Sequence, residues 1–144
     1  MKKLKIGELA KQTDCQVETI RFYEQEKLLP APARSENNYR LYGEEHVERL
    51  LFIRHCRLLD MTLDEIRGLL RFRDRPEDNC GEVNQLLDLH IEHVARRIAE
   101  LRALQAQLLA LRKQCSVSQA AKDCGILQSL GSAEGSSLAR ITCA

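Results

Sequence analysis

The chain reads as a mainly α-helical protein. It has a winged helix-turn-helix head, one long helix built to pair with another helix, and a cysteine-bearing loop after it. Three observations predict this. Short helical patterns, separated by a tight turn and a proline-containing break, fill the first half. A narrow apolar stripe with a mean period of 3.5 residues runs from Val83 to Leu111. Cysteines flank that stripe, at 80 before it and at 115 and 124 after it.

The elements follow in order. Ile6, Leu9 and Ala10 form one apolar edge, and Val17, Ile20 and Leu28 form a second. Thr13, Asp14, Cys15 and Gln16 between them read as a tight turn, giving two short helices in a helix-turn-helix. From Pro30 to Tyr42, two prolines and two asparagines stop the helix. Tyr39, Leu41 and Tyr42 have strand character there, which suits a small wing. Helix resumes from Glu44 to Leu59, with apolar residues at 47, 50, 51 and 53. Thr62 and Glu65 fit a capping box that opens a helix carrying Ile66, Leu69 and Leu70, which Asp74-Arg75-Pro76 ends. Residues 1–75 thus form one head. The long helix, 81–113, carries Val83, Leu87, Ile91, Val94, Ile98, Leu101, Leu104, Leu108 and Leu111, with polar residues on its other faces. So narrow a stripe predicts pairing between chains, hence a homodimer. Residues 114–131 hold the cysteine loop and a short apolar piece, and 132–144, rich in Gly, Ser and Ala, read as a flexible tail.

Composition excludes several classes. The 144 residues are 44% apolar and 30% charged, and no uncharged apolar run approaches the roughly 18 residues a membrane helix needs. Met1-Lys2-Lys3-Leu4-Lys5 is basic but leads into Glu8 and Lys11, so no signal peptide is read and the cytoplasm is expected. The net charge is +1, and residues 1–75 carry 15 basic against 13 acidic residues. A nucleic-acid partner must therefore be argued from motif and spacing, because charge does not announce one. No nucleophile–base pair, phosphate loop or carboxylate pair stands out, so an enzyme is not expected. Six cysteines with no C-x-x-C point to metal chemistry in a reducing compartment. A cytosolic metal-buffering protein would use them too, but would leave the helix-turn-helix and wing unexplained.

Four stretches carry a resemblance: Ile6-Gly7-Glu8-Leu9-Ala10, Glu18-Thr19-Ile20-Arg21-Phe22-Tyr23-Glu24, Leu28-Leu29-Pro30, and Arg34-Ser35-Glu36-Asn37-Asn38-Tyr39-Arg40-Leu41-Tyr42. Over about residues 3–130 the chain resembles the MerR family of bacterial transcription regulators. Asp14 stands where many members have glycine, and Asp tolerates left-handed backbone. The resemblance implies a winged helix-turn-helix, an antiparallel coiled-coil dimer and a C-terminal effector loop. It also implies a mechanism: the empty dimer represses on an over-long promoter spacer. The effector-bound dimer bends and untwists that DNA for RNA polymerase. A helix starting at Val17 can lie in the major groove, with Gln16, Val17, Thr19 and Arg21 near the end that reaches base edges. Arg21 and Tyr23 suit phosphates or bases, and Arg34, Asn38, Tyr39 and Arg40 on the wing suit backbone oxygens. Ile20 and Phe22 are expected in the core.

The cysteine spacing carries its own argument. About 33 helical residues separate Cys80 from Cys115, roughly 50 Å at 1.5 Å per residue, so one chain cannot bring both to one ion. Antiparallel pairing would set Cys80 of one chain beside Cys115 and Cys124 of its partner, with one metal ion per subunit. Cys80 sits at a helix N-terminus, where the dipole favours thiolate. Three thiolates select a soft divalent ion. Zinc prefers four ligands, and the loop from Ser116 to Cys124 offers no His or second Cys of the kind zinc-responsive relatives tend to add. Relatives that respond to copper, silver or gold use two cysteines and lack the equivalent of Cys80. The stretches Asp88-Leu89-His90-Ile91-Glu92-His93-Val94 and Cys124-Gly125-Ile126-Leu127-Gln128 resemble the cadmium/lead branch, which controls metal-resistance or efflux genes. Mercury, with a similar triad, and zinc stay as alternative effectors. An iron–sulfur sensor would need four clustered cysteines. Cys15 and Cys56 read as core thiols, Cys143 as incidental, and His90 and His93 as solvated or interfacial.

Overall fold

The computed structural model describes residues 3–133. In chain order it contains α1 (Ile6–Thr13), α2 (Val17–Gln25), β1 (Ala33–Arg34), β2 (Arg40–Leu41), α3 (Glu44–Leu58), α4 (Leu63–Arg73), α5 (Gly81–Arg112), a 3-10 turn (Ala121–Asp123) and α6 (Gly125–Gly131). Two units divide the chain, one to Leu86 and one from Leu87 onward. The tail expected over 132–144, including Cys143, lies outside the described residues from 134 onward.

In the first unit several helix ends have an identifiable cause. The Lys5 N–H donates to Glu8 Oε1 at 3.1 Å and opens α1. Asp14, at φ 55°, closes α1 in the left-handed conformation, and its N–H reaches the Ala10 carbonyl. This is the tight turn read from the sequence, and a β-branched residue at 14 would strain it. The wing is an antiparallel hairpin pairing Ala33 with Leu41 and Arg34 with Arg40. Asn38 supplies the positive φ its turn requires, and the Ser35 hydroxyl accepts the Tyr39 N–H at 3.1 Å. Leu4 and Tyr42 exchange two 2.8 Å backbone bonds, so the N-terminal segment is stitched along the wing. At the start of α3, His46 Nδ1 accepts the Gly43 N–H at 3.0 Å, which leaves Nε2 to donate to the Pro30 carbonyl at 3.1 Å. The expected capping box is present on α4: Thr62 N–H to Glu65 Oε1 at 2.9 Å and Glu65 N–H to Thr62 Oγ1 at 3.2 Å.

Leu9, Ile20, Leu28, Tyr42, Leu50, Ile53 and Ile66 are fully buried and form the core of this unit with Tyr23, Leu29, Cys56, Met61 and Leu70. These side chains are drawn from all four helices and the segments that join them, so no element can leave without opening the rest. Cys56 is a core thiol as expected, and Cys15 packs at the core's edge. Leu86, early in α5, rests on Gly68 of α4, where an added Cβ would lie 3.1 Å from Leu86 Cδ1. Small size at 68 is what lets the two helices approach.

The 32 residues of α5 carry the apolar stripe outward. Leu87, Ile91, Val94, Ile98, Leu101 and Leu108 are all exposed in the single chain. An isolated helix with such a stripe is a coiled-coil helix awaiting its partner. Among the described residues no helix is long and apolar enough to cross a membrane.

Leu50→Ala removes a fully buried side chain at the centre of the first unit. It is expected to cost roughly 2–5 kcal/mol in urea unfolding, and a loss below about 1 kcal/mol would mean this core is not the one described.

Candidate nucleic-acid interface and thiol centre

The first turn of α1, the middle of α2 and the wing enclose an open concavity of about 720 Å³. Lys5, Lys11, Arg21, Arg34 and Arg40 line it against a single acid, Glu8. Asn38 and Tyr39 complete its polar edge. In a chain of net charge +1, this gathers positive charge where an anionic backbone would enter.

Several of these groups have a local support. Arg34 Nη1 donates to the Asn38 carbonyl at 3.1 Å and braces the hairpin turn. Tyr39 is exposed, and Lys5 Nζ stands 5.7 Å from its ring centroid, a cation–π distance. Arg40 Nη1 lies 3.6 Å from Glu24 Oε2, while the other Glu24 oxygen accepts the Tyr42 hydroxyl. Burial, and after it the Glu24 bond, push the Tyr42 phenol up to about 12, so it stays a donor. Through that carboxylate α2 is tied to the wing.

Five expected DNA contacts therefore share one surface: Arg21, Arg34, Asn38, Tyr39 and Arg40. Gln16, the exposed N-cap of α2, and the half-buried Val17 and Thr19 lie on its first turn, outside the concavity. Two expectations are corrected. Tyr23, expected at DNA, turns its ring into the core, where burial raises its phenol and its hydroxyl meets Arg57. Phe22, expected in the core, is 43% exposed. The cause is helix phase: Ile20 and Tyr23, three apart, share the inward face, and Phe22 is rotated off it. Lys5 and Lys11 were not singled out by sequence. Their charge was visible, but only the Leu4–Tyr42 pairing lays Lys5 against the wing.

The thiol centre lies in the second unit. Cys115 and Cys124 lie close enough across their loop for each to shift the other's thiol. The backbone N–H of Leu127 above all, with that of Ile126 and the Cys115 thiol, holds Cys124 below the ordinary thiol range against partial desolvation. The neighbouring Cys124 sulfur, helped by desolvation, pushes the Cys115 thiol up, with Arg112 opposing. Its Sγ also lies 3.5 Å from the Val117 carbonyl. The loop is closed by side chains bonding main-chain carbonyls: Arg112 to Cys115 at 2.7 Å, Gln119 to Asp123 at 2.9 Å and Gln128 to Lys122 at 3.2 Å. Gly125 is required here, since a Cβ would stand 2.5 Å from the Gln114 carbonyl oxygen. Cys80 is exposed one residue before α5, beside an Asn79 Oδ1 that accepts the Gly81 N–H at 2.8 Å. Two neighbouring thiols, one of them held below the ordinary thiol range, suit a soft ion.

A basic winged concavity built on a helix-turn-helix and followed by a coiled-coil helix defines a DNA-binding regulator. The model of the MerR HTH family regulatory proteins matches residues 4–72, and that of the MerR DNA-binding region matches 47–111. The chain is 49% identical over 111 residues to the HTH-type transcriptional regulator ZntR homolog of Haemophilus influenzae, covering 77% of this chain and 82% of that one. It is 38% identical over 128 residues to the mercuric resistance operon regulatory protein of Bacillus cereus, covering 89% and 97%. Among solved structures it resembles the transcription regulator PbrR691 from Ralstonia metallidurans CH34 in complex with lead(II), with a TM-score of 0.78, 59% identity, and 89% and 99% of the two chains covered. The chain belongs to the MerR family of transcriptional regulators, and it is not an enzyme.

Arg34→Ala and Lys5→Ala should each weaken binding to duplex DNA selected by the protein from a random pool. Each should also reduce the slope of log affinity against log salt by about one for every phosphate that is no longer neutralised. An unchanged slope in both would remove the concavity from the DNA face. Because the thiolate is the reacting species, iodoacetamide at pH 7 should label Cys124 ahead of Cys115 in metal-free protein, and the gap should narrow as pH rises towards 9. Equal labelling at pH 7, read by peptide mass mapping, would contradict the hydrogen-bond pattern.

Proposed function

We propose that this chain is a heavy-metal-responsive transcriptional regulator. On this reading it binds promoter DNA as an antiparallel homodimer, represses while empty, and activates with cadmium(II) or lead(II) bound. Residues 1–75 are the DNA-binding domain, 81–113 the dimerisation helix and 114–131 the metal loop. The DNA contacts are Arg21, Arg34, Asn38, Tyr39 and Arg40 with Lys5 and Lys11, and Gln16, Val17 and Thr19 face the groove. Cys115 and Cys124 of one subunit and Cys80 of the partner subunit would hold one ion. It acts in the cytoplasm, where reduced thiols, promoter DNA and RNA polymerase meet, on genes for metal resistance or efflux.

The observation that carries the reading is the thiol pair. Cys115 and Cys124 are already together in a loop closed around them, and one is held towards its thiolate. An all-sulfur donor set selects soft ions over magnesium, calcium or manganese. The 32 residues of α5 separate this pair from Cys80, so a third thiolate has to come from a second chain. Bound metal supplies charge neutralisation and a bridge between subunits. The protein's own residues do the rest: the concavity grips the backbone, and phosphate contacts offset the roughly 1–6 kcal/mol that bending the operator costs. Mercury(II) and zinc(II) are the rival effectors, favoured by the likeness to the Bacillus cereus mercuric regulator and to the Haemophilus influenzae ZntR homolog.

A titration of the reduced protein with Pb(II), Cd(II), Hg(II) and Zn(II), followed by thiolate-to-metal charge transfer, tests this. One ion per subunit is expected for the inducer, and Cys80→Ser, Cys115→Ser and Cys124→Ser should each abolish tight binding. Metal retained without Cys80 would withdraw the intersubunit site and leave the DNA-binding assignment standing.

A further inference from the structure

The segment that leaves α2 for the wing has no regular structure, yet three alternate carbonyls along it are each taken by a side chain from α3 or α4. Arg67 Nη2 donates to Glu26 O at 3.0 Å, Arg49 Nε to Leu28 O at 2.6 Å, and His46 Nε2 meets Pro30 O at 3.1 Å. Two of these side chains find their other partners nearby. Arg67 turns to Glu26 Oε2 and to Asp64 in the first turn of α4, and His46 to the Gly43 N–H. Arg49 reaches further. Its Nη1 donates to Asp74 Oδ1 at 2.7 Å, with the Arg49 side chain only 18% exposed.

Asp74 is the C-cap of α4, its N–H bonded to the Leu70 carbonyl. Six residues beyond it lies Cys80. The guanidinium is planar and rigid, so its two acceptors cannot separate without lengthening one of two short bonds. As a stabilising ion pair the contact is worth little, since Asp74 is half exposed. Its consequence is geometric. One cation reads both the end of α4 and the junction between α2 and the wing. Leu86 of α5, seated on Gly68, holds α4 to the start of the long helix as well.

The geometry points to Arg49 as a positioning residue that carries displacement of the 74–80 segment, which leads to Cys80, to the α2–wing junction. It is thus a coupling element between metal binding and DNA shape. This inference rests on the metal-responsive reading. Lysine at 49 would keep the charge but not the fork. Asp74→Ala would free the α4 end while leaving Arg49 on Leu28. A neighbouring ion pair provides the control: Arg73 and Glu48 also join α4 to α3, at 3.6 Å, but touch no carbonyl of the 26–30 segment.

The experiment is a purified transcription assay with RNA polymerase and a promoter carrying the selected operator. It reads transcript output with and without Pb(II) for the wild-type chain, Arg49→Lys, Asp74→Ala and Glu48→Gln. The expected result is an induction ratio lower by about 2-fold or more in Arg49→Lys and Asp74→Ala. Both should keep one Pb(II) per subunit, Asp74→Ala should keep wild-type DNA affinity without metal, and Glu48→Gln should behave as wild type. A merely structural role would weaken metal-free DNA binding and leave the ratio alone, and that result overturns the inference. So does an equal loss of ratio in Glu48→Gln. If Arg49→Lys does not fold, Asp74→Ala decides by itself. A wild type whose output ignores every metal sinks the metal-responsive reading and takes this inference with it, whereas wild-type induction with an unchanged ratio in the variants sinks the inference alone.

Discussion

The helix that would read DNA on the proposed reading, α2, is nine residues long, too short to hold its own conformation in water. Its order has to be imposed from outside, and much of the first unit is arranged to do that. At its start, the left-handed Asp14 turns the chain sharply out of α1. On its inward face, Ile20 and Tyr23 enter the common core. At its exit, Arg67, Arg49 and His46 take the carbonyls of the segment that follows. A buried or half-buried carbonyl without a partner would cost on the order of 1–3 kcal/mol, so these bonds satisfy the junction as well as orient it. The direction of α2 is therefore a property of α3 and α4, and small shifts in those helices become shifts in how the DNA is met.

Charge is used locally. With a net charge near neutrality, the molecule as a whole exerts little pull on a polyanion. The concavity concentrates five cations against one acid. Glu24 looks misplaced so near this surface, yet its carboxylate accepts from Tyr42 and sits 3.6 Å from Arg40. It costs some attraction for phosphate and in exchange sets the angle between α2 and the wing. Phosphate contacts fix register and orientation, and they can do so only if the cations stand at fixed positions. On the proposed reading the surface must deform DNA, and it gains more from a rigid array of a few cations than from a diffuse excess of charge.

Most of the fold was legible because its signals are local. The Thr62–Glu65 box, the turn at Asp14 and the 3.5-residue stripe each depend on residues within a few positions of one another. Their boundaries agree with the structure to within about a residue. Phase was harder. A nine-residue helix holding Ile20, Phe22 and Tyr23 has two apolar faces to choose from, and which one is inward depends on what α1 and α3 present. Hence Phe22 and Tyr23 were exchanged. Lys5 and Arg49 were illegible for another reason. Lys5 meets Tyr39 across 34 positions, and Arg49 meets Leu28 and Asp74 across 21 and 25. No periodicity encodes such contacts. The cysteines were legible as chemistry, and the structure adds that Cys124 and Cys115 are inequivalent, a difference set by backbone N–H groups that no spacing reveals.

The exposed stripe and the separated cysteines bear on one another. A long helix with apolar residues left in water is stabilised by association, so its folding is linked to its own concentration. On the proposed reading the same association completes the metal site. Two thiolates would balance the charge of a divalent ion but leave its coordination short, and they would hold a linear monovalent ion equally well. A third thiolate, available only across the dimer, raises the ligand count and gives the complex a net charge of about −1. That disfavours ions content with two ligands. Selectivity would then reside less in the loop than in the pairing of α5, because the pairing register decides whether Cys80 of the partner subunit arrives beside Cys115 and Cys124. A slip of one heptad in the pairing register would preserve the apolar stripe and the fold of the first unit, yet move the third sulfur by about 10 Å along the helix. It would turn a divalent-ion site into a two-thiol site without altering any ligand.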